Sequence, residues 1–154
     1  MAKRLELWWA YAGELILSLL LLIALNLLLS LDVMTSWLAR SQASLVNLLG
    51  VCASATGIAF GAYFALLATD FGLRLRRAGE ARTYTVALGL PLIVFSTTLA
   101  LVSLGSATWG VLYDETVLFL LLYSSINLIT MVKNVVDLVG MWQDADRARN
   151  DGKR

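Results

Sequence analysis

The sequence predicts an all-α integral membrane protein, in which residues 1–154 form one domain, a bundle of four transmembrane helices. Hydrophobic residues make up 59% of the chain and the mean hydropathy is +0.76, which is more apolar surface than a soluble core of this size could bury. The apolar residues fall into four long stretches, each near the ~20 residues that cross a bilayer core. Spanning strands are disfavoured, because they alternate over about ten residues, whereas Leu15–Leu29 is almost continuously aliphatic.

The first helix is predicted over residues 8–31. Two basic residues stand ahead of it, as they would in a secretory signal. However, the apolar run is long, Trp8 and Trp9 open it, and no small-residue cleavage site follows. We therefore expect a retained spanning helix, with the two tryptophans at the boundary between membrane and water.

A polar connection is expected over residues 31–44, and the second helix follows over residues 45–69. Small residues recur every four positions along this helix, at Ala53, Gly57, Gly61, Ala65 and Thr69. Such a face lets two helix backbones approach closely. The pattern therefore predicts a tight helix–helix contact, made either with another helix of the same chain or with a second copy of the chain.

The third helix is predicted over residues 84–108 and contains Pro91. Proline removes a backbone donor and leaves the Ala87 carbonyl without its usual partner, so a bend is expected there. Two interpretations of the bend are open. It is either a static bend that improves packing or a hinge.

The fourth helix, residues 116–142, carries the strongest functional signal. Polar residues recur along it at helical spacing, at Tyr123, Asn127, Thr130, Asn134 and Asp137. We call this set the polar stripe, because such spacing places its members on one face. Lys133 precedes Asp137 by four residues and is placed to pair with it. Polar residues inside a membrane normally face another helix, a partner chain or water, so the polar stripe is the candidate site.

Glu14 is the other acidic residue that lies inside a predicted span. It stands about one and a half turns from the tryptophans that open the first helix. Its carboxylate either reaches back to the interface or caps a neighbouring group, or it is buried as a partner of Lys133. We favour the first interpretation, because the cost of an intramembrane charge depends on its depth and Glu14 is shallow.

The distribution of positive charge predicts the orientation. Lysine and arginine concentrate in the N-terminus, in residues 70–83 and in the C-terminal tail, whereas the connections at 31–44 and 105–115 contain only Arg40. This pattern predicts that both termini and the 70–83 loop are cytoplasmic. The basic residues of that loop are Arg74, Arg76, Arg77 and Arg82.

The composition also excludes several classes of function. The chain has no histidine and a single cysteine, Cys52, which excludes His-ligated haem, His-containing zinc sites and dithiol redox chemistry. The motifs of nucleotide-binding and hydrolytic enzymes are lacking. We therefore predict no catalytic residue, no cofactor and no metal. The net charge of +1 gives no general attraction for nucleic acid.

Two classes of function remain. The one we favour is a non-enzymatic, homo-oligomeric module of a bacterial inner membrane, pore-like or scaffold-like, whose partners are lipid and further copies of the chain. The alternative is an anchor or sensor subunit that docks a cytoplasmic protein through the basic loop and the C-terminal tail. Small four-helix subunits of bacterial immunity and phage-defence systems share this general architecture, which is an analogy of shape alone.

Overall fold

The structure, a computed structural model, describes the backbone of residues 2–104 and 110–151 and the side chains of residues 9, 11–30, 33–104 and 113–147. The described residues form five helices, α1 (Ala2–Leu28), α2 (Leu31–Leu67), α3 (Asp70–Arg77), α4 (Ala81–Leu104) and α5 (Gly110–Asp151). Helices α1, α2, α4 and α5 are each long and apolar enough to cross a membrane. The prediction of an all-helical chain with four such helices is confirmed.

Helix α2 is longer than predicted, because residues 31–44 continue the helix instead of forming a loop. These residues include no glycine or proline, the residues that most readily end a helix. Met34 and Leu38 are buried in the core, and the Gln42 side-chain amide donates a hydrogen bond to the Val102 carbonyl at 2.9 Å. The polar residues of this segment therefore lie on a helix whose other side is packed.

Part of the predicted basic loop is also helical, since Asp70–Arg77 forms α3. Leu75 is buried and Phe71 packs beside it in an apolar cluster, whereas the arginines of α3 are exposed. This arrangement makes α3 amphipathic, with its apolar side against α2 and α4. The segment is only eight residues long, which is too short for the helical spacing of its apolar residues to stand out among its charged residues.

The third of the four long helices begins earlier than predicted, at Ala81, and the fourth is longer than predicted. Helix α4 ends at Leu104, and the rest of the predicted span, residues 105–108, lies outside the described residues. Helix α4 passes through Pro91 as one helix, and hinge motion at that residue stays a prediction. Helix α5 exceeds the predicted 116–142 at both ends. Its C-terminal extension, residues 143–151, contains no glycine or proline.

The long helices contact one another in the order α1–α5–α4–α2, because α4 packs on α2 and α5 while α1 packs mainly on α5. Two apolar clusters show that neighbours run antiparallel. One cluster joins the C-terminal ends of α1 and α4 to the N-terminal halves of α2 and α5 around Phe95 and Val117. The other surrounds Tyr63 and Leu88 at the opposite end, beside α3. The N-terminal end of α1 and the C-terminal end of α5 therefore lie at the same end of the bundle as α3.

Hydroxyl groups connect the helices through this apolar interior. The Tyr63 side chain is 1% exposed, and its hydroxyl donates to the Ala81 carbonyl at 2.5 Å and lies 3.2 Å from the Thr85 hydroxyl. The hydroxyls of Thr98 and Ser124 lie 3.1 Å apart between α4 and α5. Bonds of this kind hold helices together where burial of apolar surface from water provides no driving force.

Candidate functional site: the polar contact of helices α1 and α5

Most residues of the polar stripe of α5 are buried or half-buried. Asn127 is 0% exposed and Tyr123 is 7% exposed, Thr130 and Asn134 are half-buried, and Asp137 is exposed. Helical spacing had predicted one common face for all five. The structure buries the first two of them, half-buries the next two and leaves the last one on the surface.

The α1 side of this contact consists of Tyr11, Glu14 and Ser18, which are all buried. The Thr130 hydroxyl donates a hydrogen bond to Oε1 of Glu14, and this bond joins the two helices. Sequence reasoning missed Tyr11 and Ser18. Their spacing from Glu14, three residues before and four after, would have placed all three on one face, but the long aliphatic run around them concealed the pattern.

The contact contains buried polar atoms that its hydrogen bonds leave without a partner. Four buried polar atoms have no hydrogen-bond partner among the described residues, namely Tyr11 Oη, Glu14 Oε2, Asn127 Oδ1 and Asn134 Nδ2. The Asn127 amide nitrogen is engaged, because it donates to the Tyr123 carbonyl at 3.1 Å. An unpaired buried polar group costs about 1–3 kcal/mol, so these atoms offset part of the stability that the Thr130–Glu14 bond provides. Within the described residues, no three acidic or thiol side chains lie close enough to hold a metal ion.

The predicted ion pair between Lys133 and Asp137 is wrong for the single chain. Both side chains are exposed, and among the described residues the one ion pair is Arg147–Asp144 at 3.8 Å. The two residues point away from the packed side of α5, where an exposed pair would gain little stability from a fixed geometry.

Of the two possibilities within the interpretation favoured above for Glu14, the structure agrees with a contact to a neighbouring group and not with a carboxylate that reaches back to the interface. The Glu14 side chain is 8% exposed, so the carboxylate does not reach back to the surface. It contacts Thr130 and forms no ion pair with Lys133 within the described part of the chain. The hydroxyl of a neighbouring helix is what partners this carboxylate.

The small-residue face of α2 meets two different surroundings. A Cβ on Gly57 would lie 3.8 Å from the Leu92 side chain of α4, and Ala53 packs against the core, so this half faces another helix of the same chain. Gly61 and Ala65 are exposed, and a Cβ on Gly61 would meet nothing within 4 Å. The second half of the face is therefore uncovered.

The basic residues predicted to form a docking loop lie together at one end of the bundle. Three of them are on α3 and the fourth is in the first turn of α4, and all are exposed: Arg74, Arg76, Arg77 and Arg82. These arginines therefore project from helices whose opposite sides pack against the bundle.

Comparisons with known protein families, with curated proteins and with solved structures found no match to this chain. The fold alone defines its class, an all-helical protein with four helices able to cross a membrane. Its candidate site is the buried polar contact between the first and last helices.

Proposed function

We propose that the protein is a non-enzymatic membrane module that associates with further copies of itself, as a scaffold or as a pore-like assembly. One observation carries this proposal, a row of small and polar residues on α2 that is largely uncovered. The members of this row, which we call the α2 stripe, are Ala43, Asn47, Gly50, Ser54, Gly61 and Ala65. Their intervals of four, three, four, seven and four place them on one helix face. The exposed Ile58 separates Gly61 and Ala65 from the other four members.

The α2 stripe has the chemistry of a helix–helix interface in membranes. Asn47 and Ser54 are exposed although both lie inside the candidate span of α2. The Ser54 hydroxyl is satisfied by the Gly50 carbonyl at 2.8 Å, whereas the Asn47 amide makes no hydrogen bond within the described residues. Shallow grooves flank Asn47 along the helix. Small residues and an interhelical amide are what close helix packing in lipid requires.

A second copy of the chain is the partner that this surface fits best. An amide offers both a donor and an acceptor, so two Asn47 side chains brought together by a two-fold axis can satisfy each other. The surrounding small residues would let the two α2 backbones approach closely enough for that bond. The amide would then no longer face lipid, where a polar group is costly.

Substitutions at two glycines of α2, Gly57 and Gly61, test assembly separately from folding. Gly61→Leu is expected to weaken self-association by about tenfold or more, because it fills open space on the uncovered face. Gly57→Leu is expected to lower the melting temperature instead, because a Cβ there would already lie in van der Waals contact with Leu92 and the rest of the leucine would overpack the contact. Native mass spectrometry of detergent-solubilised protein would measure the assembly, and thermal unfolding would measure the stability.

Gly13→Leu provides the matched control, because Gly13 is exposed on α1 and a Cβ there would meet nothing within 4 Å. Helix α1 packs mainly on α5, so this position is away from the α2 stripe. Gly13→Leu should leave the assembly unchanged. If Gly61→Leu behaves like this control, the α2 stripe is not the interface and the proposal of self-association through it fails.

A pore-like assembly would use the outer polar residues of α5 for its path. The buried part of the polar stripe is closed against α1 within each chain, whereas Lys133 and Asp137 remain exposed. Conductance of the purified protein in planar bilayers separates the two forms, because a scaffold gives none.

We further propose that the α3 end faces the cytoplasm of a bacterial inner membrane, since its excess of arginine follows the positive-inside rule.

A second candidate function is that of an anchor or sensor subunit. The observation in its favour is α3, whose buried Leu75 fixes it to the bundle while Arg76 and Arg77 are exposed. A rigid helix that presents arginines suits an acidic surface on a cytoplasmic protein. A soluble protein that co-purifies with the chain, and is lost when Arg76 and Arg77 are replaced by glutamate, would favour this candidate.

A further inference from the structure

A cleft of about 260 Å³ lies between α3 and the C-terminal part of α5. It stands at the end of the bundle where α2 stops and the chain turns into α3. Phe71 and Trp142 give it aromatic walls, and Arg74 and Asp146 bring charges of opposite sign from the two helices. Tryptophan at such a position is typical of the headgroup level of a membrane.

The opposite charges of the cleft do not satisfy each other. Arg74 comes from α3 and Asp146 from α5, both are exposed, and neither takes part in an ion pair within the described residues, where Arg147–Asp144 is the one pair. Asp70 also lines the cleft but already has an interaction of its own. A guanidinium and a carboxylate thus line one cleft with space between them.

We propose that this cleft binds a zwitterionic phospholipid headgroup that ends in a primary ammonium group, as in phosphatidylethanolamine. The phosphate would accept hydrogen bonds from the Arg74 guanidinium, whose planar fork suits phosphate oxygens. The ammonium would donate to the Asp146 carboxylate and lie against the Trp142 ring, which attracts cations. The inference requires that the chain lie in a membrane, but it does not depend on self-association.

A lipid is favoured over a soluble zwitterion by what surrounds the cleft. Val136 and Val139 are exposed on α5 within the two turns before Trp142, and Leu73 is exposed on α3. The acyl chains of a lipid whose headgroup lies in the cleft can follow the exposed valines along α5. A soluble ligand would gain nothing from these apolar side chains.

Lipid binding by the full chain tests the proposal. Delipidated protein in detergent is offered equal amounts of dioleoyl phosphatidylethanolamine, phosphatidylcholine and phosphatidylglycerol, and native mass spectrometry counts the bound lipid. We expect phosphatidylethanolamine to be preferred, because the quaternary ammonium of choline has no hydrogen to donate to Asp146. Arg74→Gln and Asp146→Asn should each weaken its binding about tenfold, as expected for the loss of a charged hydrogen-bond partner. Arg77→Gln is the control, since Arg77 is exposed on α3 but does not line the cleft.

The sign of the Asp146→Asn effect decides between a headgroup site and general charge attraction. Loss of a carboxylate would strengthen the binding of anionic lipid to a basic helix, whereas it should weaken a site that holds an ammonium group. Preference for phosphatidylglycerol, stronger lipid binding by Asp146→Asn, or an equal loss with Arg77→Gln would each overturn the proposal. So would competition by soluble glycerophosphoethanolamine at the same concentration as the lipid, because the ligand would then be the free zwitterion. The preference of the unmodified chain tests the proposal even where a variant melts early.

Discussion

Replacing Thr130 by valine is expected to destabilise the protein by about 1–3 kcal/mol, the cost of leaving a buried polar group without its partner. The Thr130 hydroxyl donates to Oε1 of Glu14, and the second carboxylate oxygen has no partner among the described residues. Valine has nearly the shape of threonine, so the change removes the hydrogen bond and little packing. The free energy of unfolding in detergent micelles would measure the loss.

Removing the carboxylate as well is expected to recover part of that loss. In the double variant Glu14→Leu with Thr130→Val, no buried carboxylate is left without a donor, and both positions are compatible with an apolar contact. A double-mutant cycle should therefore give a coupling energy of at least about 0.5 kcal/mol. Additive losses would contradict a direct interaction between the two side chains.

Ser125→Ala is the matched control for these variants. Ser125 is exposed on the same helix, and its hydroxyl donates to the Leu121 carbonyl of its own helix at 2.8 Å. Its loss should change the free energy of unfolding by less than about 0.5 kcal/mol, as is usual for surface substitutions. A cost equal to that of Thr130→Val would mean that hydroxyl deletion in α5 is destabilising for reasons unrelated to Glu14.

The effect of Thr130→Val should be concentrated in α1, because of how that helix is attached. Helix α1 packs mainly on α5, and aliphatic residues such as Leu17, Leu20 and Leu27 are exposed along its length. In a membrane such residues have no preference between lipid and protein, so they do not fix how far α1 slides or rotates on its neighbour. The polar contact supplies that specificity.

The existence of the four long helices could be predicted from hydropathy, but their ends could not. Hydropathy reports where a helix is apolar, whereas a helix ends where the backbone can no longer continue. Residues 31–44 and 143–151 are polar and lack glycine and proline, so helix α2 and helix α5 continue through them. The polar composition that suggested a loop and a fraying tail is equally compatible with a solvated helix surface.

The α5 side of the candidate site could be predicted from the sequence, whereas the α1 side could not. The polar stripe of α5 was visible because five polar residues recur at helical spacing, and Asn127 is its most buried member. The pairing of charges was not predictable, because spacing places Lys133 near Asp137 without saying which side of α5 faces the bundle. The helix that covers the stripe also had to come from the tertiary structure, since α1 and α5 are the two long helices farthest apart in the sequence.

The largest local effect of a single methyl group is expected at Gly72. A Cβ on Gly72 would lie 2.4 Å from both the Cα and the carbonyl oxygen of Leu67. These are backbone atoms at the end of α2, so no side chain can move aside, and the turn between α2 and α3 has to open. Gly72→Ala should therefore cost about 3 kcal/mol, the upper part of the usual range for overpacking. The loss should appear as release of α3, with exposure of the buried Leu75.

Hydrogen exchange and limited trypsin cleavage would measure this release directly. Backbone amides of α3 should lose protection in Gly72→Ala, and cleavage after Arg74 should accelerate, while the amides around Thr98 keep their protection because the bundle core is not touched. Gly140→Ala is the control, because a Cβ there would meet nothing within 4 Å and alanine favours a helix over glycine by about 1 kcal/mol. Since Arg74 lines the cleft between α3 and α5, release of α3 should also abolish the preference for phosphatidylethanolamine. Unchanged protection of α3 in Gly72→Ala would show that the turn tolerates a side chain and that the close approach of Gly72 to Leu67 does not hold α3 in place.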